Sequence, residues 1–164
     1  MSVKGRVWKY GDDINTDVIF PGKYTYTVSD PNEMAQYAME DLDSEFAKNV
    51  KENDIIVGGK NFGCGSGREQ AVVCIKMSGI GVIIAKSFSR LYFRNCVNNG
   101  LYVIVSAEAV DAIENGEEIE VDMDNGTIIC GAGTISFPPL PPEVRGIFED
   151  GGLIPHTKKI LGTD

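Results

Sequence analysis

The sequence predicts an α/β fold of 164 residues in three layers, β/β/α, built on a central mixed and partly parallel sheet, with residues 1–164 as one domain. Three observations carry this. Ile55-Ile56-Val57, Val82-Ile83-Ile84-Ala85 and Val103-Ile104-Val105 are apolar at every position, as strands buried on both faces are. Helix-patterned segments at 71–77 and 88–97 separate them, and strand–helix–strand order implies right-handed parallel crossovers. The flanks carry β segments of the alternating or turn-linked kind, which suit antiparallel pairing. A chain of this length buries roughly 70% of its unfolded surface, enough for a core without disulfides.

Residues 3–9 alternate apolar with polar and form the first strand. Gly11-Asp12-Asp13-Ile14-Asn15-Thr16-Asp17 is turn-rich, because Asp and Asn side chains bond their own backbone. Residues 23–30 hold β-formers without a fixed period and are expected to be a loop. Pro31 and Glu33 suit a helix start, and that helix is expected to run through Met39, with a second short one at 44–48. After the strand at 55–57 and Gly58-Gly59, a loop leads to the buried helix at 71–77, ended by Gly79. The helix at 88–97 turns Phe88, Leu91, Tyr92 and Cys96 inward and stops at Asn98-Asn99-Gly100. A helix at 107–113 follows the strand at 103–105. Strands at 118–123 and 127–130 are expected to close through a two-residue Asn-Gly turn. Beyond the prolines at 138–142, a helix is expected at 143–149, broken by Gly151-Gly152 before a last amphipathic segment to Leu161.

Composition excludes several functions. With a net charge of −9 and no dense Lys/Arg run, nucleic acid is not an expected partner. No apolar stretch approaches the roughly 20 residues that span a bilayer. Residues 1–9 lack the apolar core of a signal peptide, so the expected location is cytoplasmic. Cys64, Cys74, Cys96 and Cys130 match neither a zinc pair nor a close-set iron–sulfur run, and His156 is the single histidine. No metal ligand is therefore expected in this chain. An acidic protein that holds an anion needs placed cations, and Arg68, Arg90 and Arg94 fall in one central stretch.

The most informative segment is the turn between the strand at 55–57 and the helix at 71–77. Gly63, Gly65 and Gly67 permit positive φ and close approach of the backbone to a ligand. A helix starting near Arg68 would aim free N–H groups and a positive dipole end at whatever lies above it. Arg68 can grip a carboxylate through two parallel hydrogen bonds, and Ser66 stands where those charges favour its alkoxide. The spacing is neither the dinucleotide fingerprint nor a Walker A loop. The same residues also fit a packing turn whose serine caps the helix.

Asn61-Phe62-Gly63-Cys64-Gly65-Ser66-Gly67-Arg68-Glu69-Gln70-Ala71 closely resembles the signature of the small subunits of the isopropylmalate isomerase and homoaconitase family, and of the swivelling domain of aconitase. Asp13-Ile14-Asn15-Thr16-Asp17-Val18-Ile19 with Pro21-Gly22-Lys23-Tyr24 resembles that family's N-terminal loop. Ser87-Phe88-Ser89-Arg90-Leu91-Tyr92-Phe93-Arg94-Asn95 and Gly151-Gly152-Leu153-Ile154-Pro155 match two further blocks. The resemblance spans the chain.

It implies a swivelling domain that acts as half of a hydro-lyase on a 2- or 3-hydroxy dicarboxylate. A large subunit is implied as partner, carrying a [4Fe-4S] cluster over which the small subunit closes. Ser66 becomes the base, as alkoxide, and Arg68 the clamp on a substrate carboxylate, with Gly65 and Gly67 beside them and Asp17 on the active-site loop. Tyr24, Thr25 and Tyr26 fall where relatives select their substrate. That loop lacks the arginine implied for homoaconitate-type substrates, which favours a neutral or alkyl side group. 3-Isopropylmalate of leucine biosynthesis is the implied substrate. The loop also lacks the usual aliphatic residues, so dimethylmalate, methylmalate-type or homoaconitate hydratases are alternatives. Gly67 and Gln70 depart from the serine and histidine of most relatives. A reading of another class is a stand-alone carboxylate-binding module. Self-association of the isolated chain is left open.

Overall fold

The computed structural model describes residues 1–163. Asp164, the last residue of the expected 1–164 domain, lies outside the described residues. In chain order the elements are β1 (Ser2–Lys9), α1 (Thr16–Ile19), α2 (Pro31–Ala35), α3 (Phe46–Asn49), β2 (Ile55–Gly58), α4 (Gln70–Met77), β3 (Val82–Ala85), α5 (Arg90–Asn98), β4 (Tyr102–Val105), α6 (Ala107–Ala112), β5 (Glu118–Asp122), β6 (Thr127–Cys130), β7 (Gly133–Ser136), α7 (Pro142–Glu149) and α8 (Leu153–Leu161).

The seven strands form one sheet in the order β4-β3-β2-β1-β5-β6-β7. From β1 to β4 the pairing is parallel, and from β1 through β5 to β7 it is antiparallel. β1 joins the two halves because its ends have different neighbours. Ser2 to Arg6 pair with β5, whereas Val7 to Lys9 pair with β2.

Side-chain alternation then makes the layers. Ile56 and Ile83 point into a core shared with Ala71, Val72 and Ile75 of α4 and with Tyr92 and Cys96 of α5. Ile55, Val57, Val82 and Ile84 point the other way, into a core with Val121, Ile128 and Ile135. The antiparallel half thus curls over one face of the parallel half while helices cover the opposite face. This is the mixed β/β/α arrangement that the two-sided apolar strands imply.

Asp54, 4% exposed, locks the start of β2 to β1. Its carboxylate accepts hydrogen bonds from Arg6 N at 3.1 Å, Trp8 Nε1 at 2.9 Å and Lys51 N at 2.9 Å. Asp54→Ala strands these donors away from water and should cost about 3 kcal/mol, read as a lower urea midpoint at an unchanged slope.

Three local expectations need correction, and one strand lies outside them. α2 ends at Ala35 and does not reach Met39, because Met39 takes φ +61° and donates its N–H to Ile19 O at 2.8 Å. Leu91 is 46% exposed, lying over the turn backbone and not in the core. The β5–β6 connection holds four residues, since Asp122 pairs directly with Thr127. There the Asp122 carboxylate accepts from the N–H of Asp124 and Asn125, both at 3.0 Å, which pins the wider turn. Finally, β7 has only Ile135 buried along Gly-Thr-Ile-Ser, too weak a pattern to reveal a strand.

Candidate active site

The segment from Gly59 to Glu69 leaves the end of β2 and is gripped on two sides. On one, Phe62 N bonds Ser87 O at 3.0 Å and Ser89 N bonds Phe62 O at 2.9 Å. On the other, Asp13 N bonds Lys60 O, Gly63 N bonds Ile14 O and Thr16 N bonds Cys64 O, each at 2.8 Å. The turn-rich segment after β1 is thereby laid along the glycine-rich one. Two glycines are required in this turn. Gly63 has φ +79°, and a Cβ there would lie 2.1 Å from Tyr92 Cγ. Gly65 has φ +97°, and its Cβ would lie 2.6 Å from Asn15 Oδ1. That same Asn15 oxygen accepts from Asp17 N at 2.8 Å and opens α1.

Ser66 and Arg68 meet on this platform. Ser66 is exposed, and its Oγ accepts from Arg68 Nε at 2.9 Å and lies 3.2 Å from Thr16 Oγ1. Arg68, with 18% of its side chain exposed, donates from Nη1 to Thr25 Oγ1 at 2.5 Å. Its Nη2 donates to Asp17 Oδ1 at 2.7 Å and to Phe20 O at 3.0 Å. One guanidinium therefore ties the serine to α1 and to the loop beyond it. α4 begins at Gln70, within a residue of the helix expected at 71–77 and two residues beyond Arg68. Among the described residues, the hydrogen-bonding neighbours of Ser66 Oγ are side chains and not the amides of α4.

Comparison with known proteins decides the family. The family described as "Aconitase C-terminal domain" matches residues 11–109, the stretch that contains every contact above. The "3-isopropylmalate dehydratase small subunit" of Thermodesulfovibrio yellowstonii is 46% identical across all of this chain and 98% of its own length. That of Aquifex aeolicus is 49% identical over 99% and 98%. A crystal structure of 3-isopropylmalate dehydratase from Methanocaldococcus jannaschii superposes with a TM-score of 0.92 at 44% identity, covering 98% of this chain and 96% of that one. The chain belongs to the 3-isopropylmalate dehydratase small-subunit family.

In this family member the three residues expected to select substrate divide. Thr25 reaches Arg68. Tyr24 stacks on Tyr37 with ring centroids 3.9 Å apart and donates its hydroxyl to Glu40 Oε1 at 3.1 Å. Tyr26 is 98% exposed. Both departures from the family pattern have local partners. Gln70 Nε2 donates to Thr25 O at 3.4 Å, tethering the loop. A Cβ on Gly67 would come within 2.1 Å of Leu91 Cδ2, so Gly67 and the exposed Leu91 are matched. Asn95 Nδ2 holds Gly67 O at 3.1 Å.

The other candidates stand apart. Cys74 and Cys96 are buried, which pushes both thiols up, while Cys64 is half-buried in the turn. Among the described residues no three His, Cys, Asp or Glu side chains converge as a metal site. Arg90 and Arg94 are exposed beside Phe88 and Phe93 and form no ion pair within the described residues. His156 Nδ1 lies 2.7 Å from Asp150 Oδ2 between the last two helices, a structural contact. An apolar cavity of about 190 Å³, lined by Phe93, Tyr102, Ile104 and Phe137, includes none of the site residues. Sequence reasoning missed Thr16, the Phe20 carbonyl and the Gln70 tether. Thr16 lies inside the Asn15-Thr16-Asp17 block, but only its burial beside Ser66 marks it out.

Proposed function

We propose that this chain, as a single swivelling domain, is the small subunit of a cytoplasmic 3-isopropylmalate dehydratase. With its large subunit it interconverts 3-isopropylmalate and 2-isopropylmalate in leucine biosynthesis. The observation that carries the reading is Arg68 Nε held 2.9 Å from Ser66 Oγ at an open surface. A serine hydroxyl is a poor base, and a permanently charged guanidinium hydrogen-bonded to its oxygen favours the alkoxide.

In the dehydration half-reaction the Ser66 alkoxide takes the proton from the substrate carbon. The C–H electron pair forms the C=C bond, and the hydroxyl on the neighbouring carbon departs with its bonding pair. Among the described residues no three His, Cys, Asp or Glu side chains converge, which supports a cluster held by the partner. The cluster expected on the large subunit would supply Lewis acidity toward that hydroxyl. Rehydration on the adjacent carbon completes the isomerisation.

Arg68 presents its fork to a substrate carboxylate by exchanging partners. Its ion pair with Asp17 is the weak link, because the Asp17 side chain is 66% exposed and solvent screens the attraction. One carboxylate then replaces another at the same Nη2. The selectivity loop offers no free cation, since Lys23 Nζ is paired with Glu40 at 3.1 Å. A second side-chain carboxylate would be left unpaired there, so an alkyl group fits better.

The test is reconstitution. The isolated chain should show no hydratase activity, and anaerobic addition of the large subunit should give turnover of 3-isopropylmalate, with homoaconitate-type, citramalate and dimethylmalate substrates slower. Tight dicarboxylate binding by the lone chain, with no activity gained from the partner, would instead mark a carboxylate-binding module.

A further inference from the structure

Two groups face Ser66 Oγ, and the proposed mechanism uses only Arg68. We infer that Thr16 is a positioning residue whose hydroxyl donates to the Ser66 alkoxide and sets the pH at which that alkoxide forms. The inference rests on Ser66 being the base.

The geometry is specific. Thr16 is 1% exposed, and its Oγ1 has Ser66 Oγ, at 3.2 Å, as its one hydrogen-bond partner among the described residues. Its backbone is held at both ends. The N–H bonds Cys64 O at 2.8 Å, on the same turn as Ser66, and the carbonyl accepts Phe20 N at 2.9 Å. Threonine is β-branched and stiff at χ1, so a backbone this constrained keeps the hydroxyl on station.

Charge decides the direction of the bond. While Ser66 is neutral, either hydroxyl can donate. An alkoxide can only accept, so the proton between the two oxygens must then come from Thr16. A hydrogen bond to an ionised acceptor is roughly twice as strong as a neutral one. Thr16 therefore stabilises the basic form more than the neutral form, and its burial, at 1% exposed, keeps the hydroxyl from turning to water instead.

The other charged or titratable groups around Ser66 do not duplicate this role. Arg68 donates to the same oxygen and is charged throughout the working pH range. Asp17 engages the far end of Arg68, Glu69 accepts from Asn99 Nδ2 at 3.0 Å, and Cys64 offers Thr16 its backbone carbonyl.

The experiment uses the reconstituted two-subunit enzyme. Thr16→Val fills nearly the same space without the hydroxyl. It should lower kcat roughly 10²-fold and move the limb on which kcat rises with pH upward by about one unit or more. KM should change less than about threefold, because Arg68 is intact. Thr16→Ser should recover most of kcat and return the limb to its original pH. Thr16→Ala should behave as Thr16→Val and serves if the valine variant folds poorly, with the thermal midpoint of the isolated subunit as the folding check. Retention of kcat and limb in the hydroxyl-free variants overturns the inference. A pH-independent loss that Thr16→Ser fails to rescue also overturns it, marking a structural role. Full activity of a Ser66→Ala enzyme would instead remove the base assignment itself, whatever Thr16 does.

Discussion

Ser66→Ala lowers kcat of the reconstituted enzyme by about 10³–10⁴-fold while leaving KM within a few-fold of wild type. The reasoning separates chemistry from binding. The Ser66 hydroxyl is the proposed base, and removing a positioned base typically costs up to about 10⁴ in rate. Without Ser66, Arg68 keeps its bonds to Thr25 Oγ1 and Phe20 O, so it stays in place to exchange Asp17 for the substrate carboxylate. A loss confined to kcat is the sign of an interaction made in the transition state. Stability is the control. Ser66 is exposed, and its truncation should shift unfolding free energy by less than about 0.5 kcal/mol. Steady-state kinetics with 3-isopropylmalate and urea unfolding of the isolated chain check both halves. Near-full turnover by the alanine variant would remove Ser66 from the role of base.

Arg68→Lys is expected to be almost as damaging, for a different reason. The guanidinium bonds four oxygens at once: Ser66 Oγ, Thr25 Oγ1, Asp17 Oδ1 and Phe20 O. An ammonium is a point charge with three donors and no planar fork, so it cannot hold this set or grip a carboxylate with two parallel bonds. We expect kcat/KM to fall about 10²–10³-fold, shared between a higher KM from the lost bidentate pair and a lower kcat from the lost bond to Ser66 Oγ. The isolated chain reports the same change without substrate. Amide hydrogen exchange through residues 20–28 should quicken in Arg68→Lys, because that loop loses its ties at Phe20 and Thr25. Unchanged exchange together with unchanged KM would show that Arg68 neither orders the loop nor holds the substrate.

Much of the fold was legible in the residues themselves. Uninterrupted apolar strands at 55–57 and 82–85 are buried on both faces as that pattern requires, and the edge strand at 103–105 is buried except for Val105. What was illegible was governed by tertiary contact. Met39 looked helical by local pattern, yet its N–H is taken by Ile19 O from a distant segment, and the helix ends earlier. Leu91 has the spacing of a core residue, but it covers Gly67, where a side chain would have excluded it. The four-residue β5–β6 turn follows from the Asp122 carboxylate, a local bond that an Asn-Gly pair conceals.

The sequence by itself determined that Ser66 and Arg68 lie two residues apart in a turn only glycines can make, between a buried strand and a buried helix. Its resemblance to a family of small subunits supplied the roles. Only the tertiary structure decided what surrounds those two side chains. Arg68 finds Thr25 and Asp17 at 43 and 51 residues' separation, and Ser66 finds Thr16 at 50. The physical reason lies in β1 and β2. Their parallel pairing starts both following loops from the same sheet edge, and the hydrogen bonds from Asp13, Gly63 and Thr16 then zip those loops together. Spacing along a chain reports the face and conformation of each residue, whereas a contact across 50 residues exists only once the strands beneath it have paired.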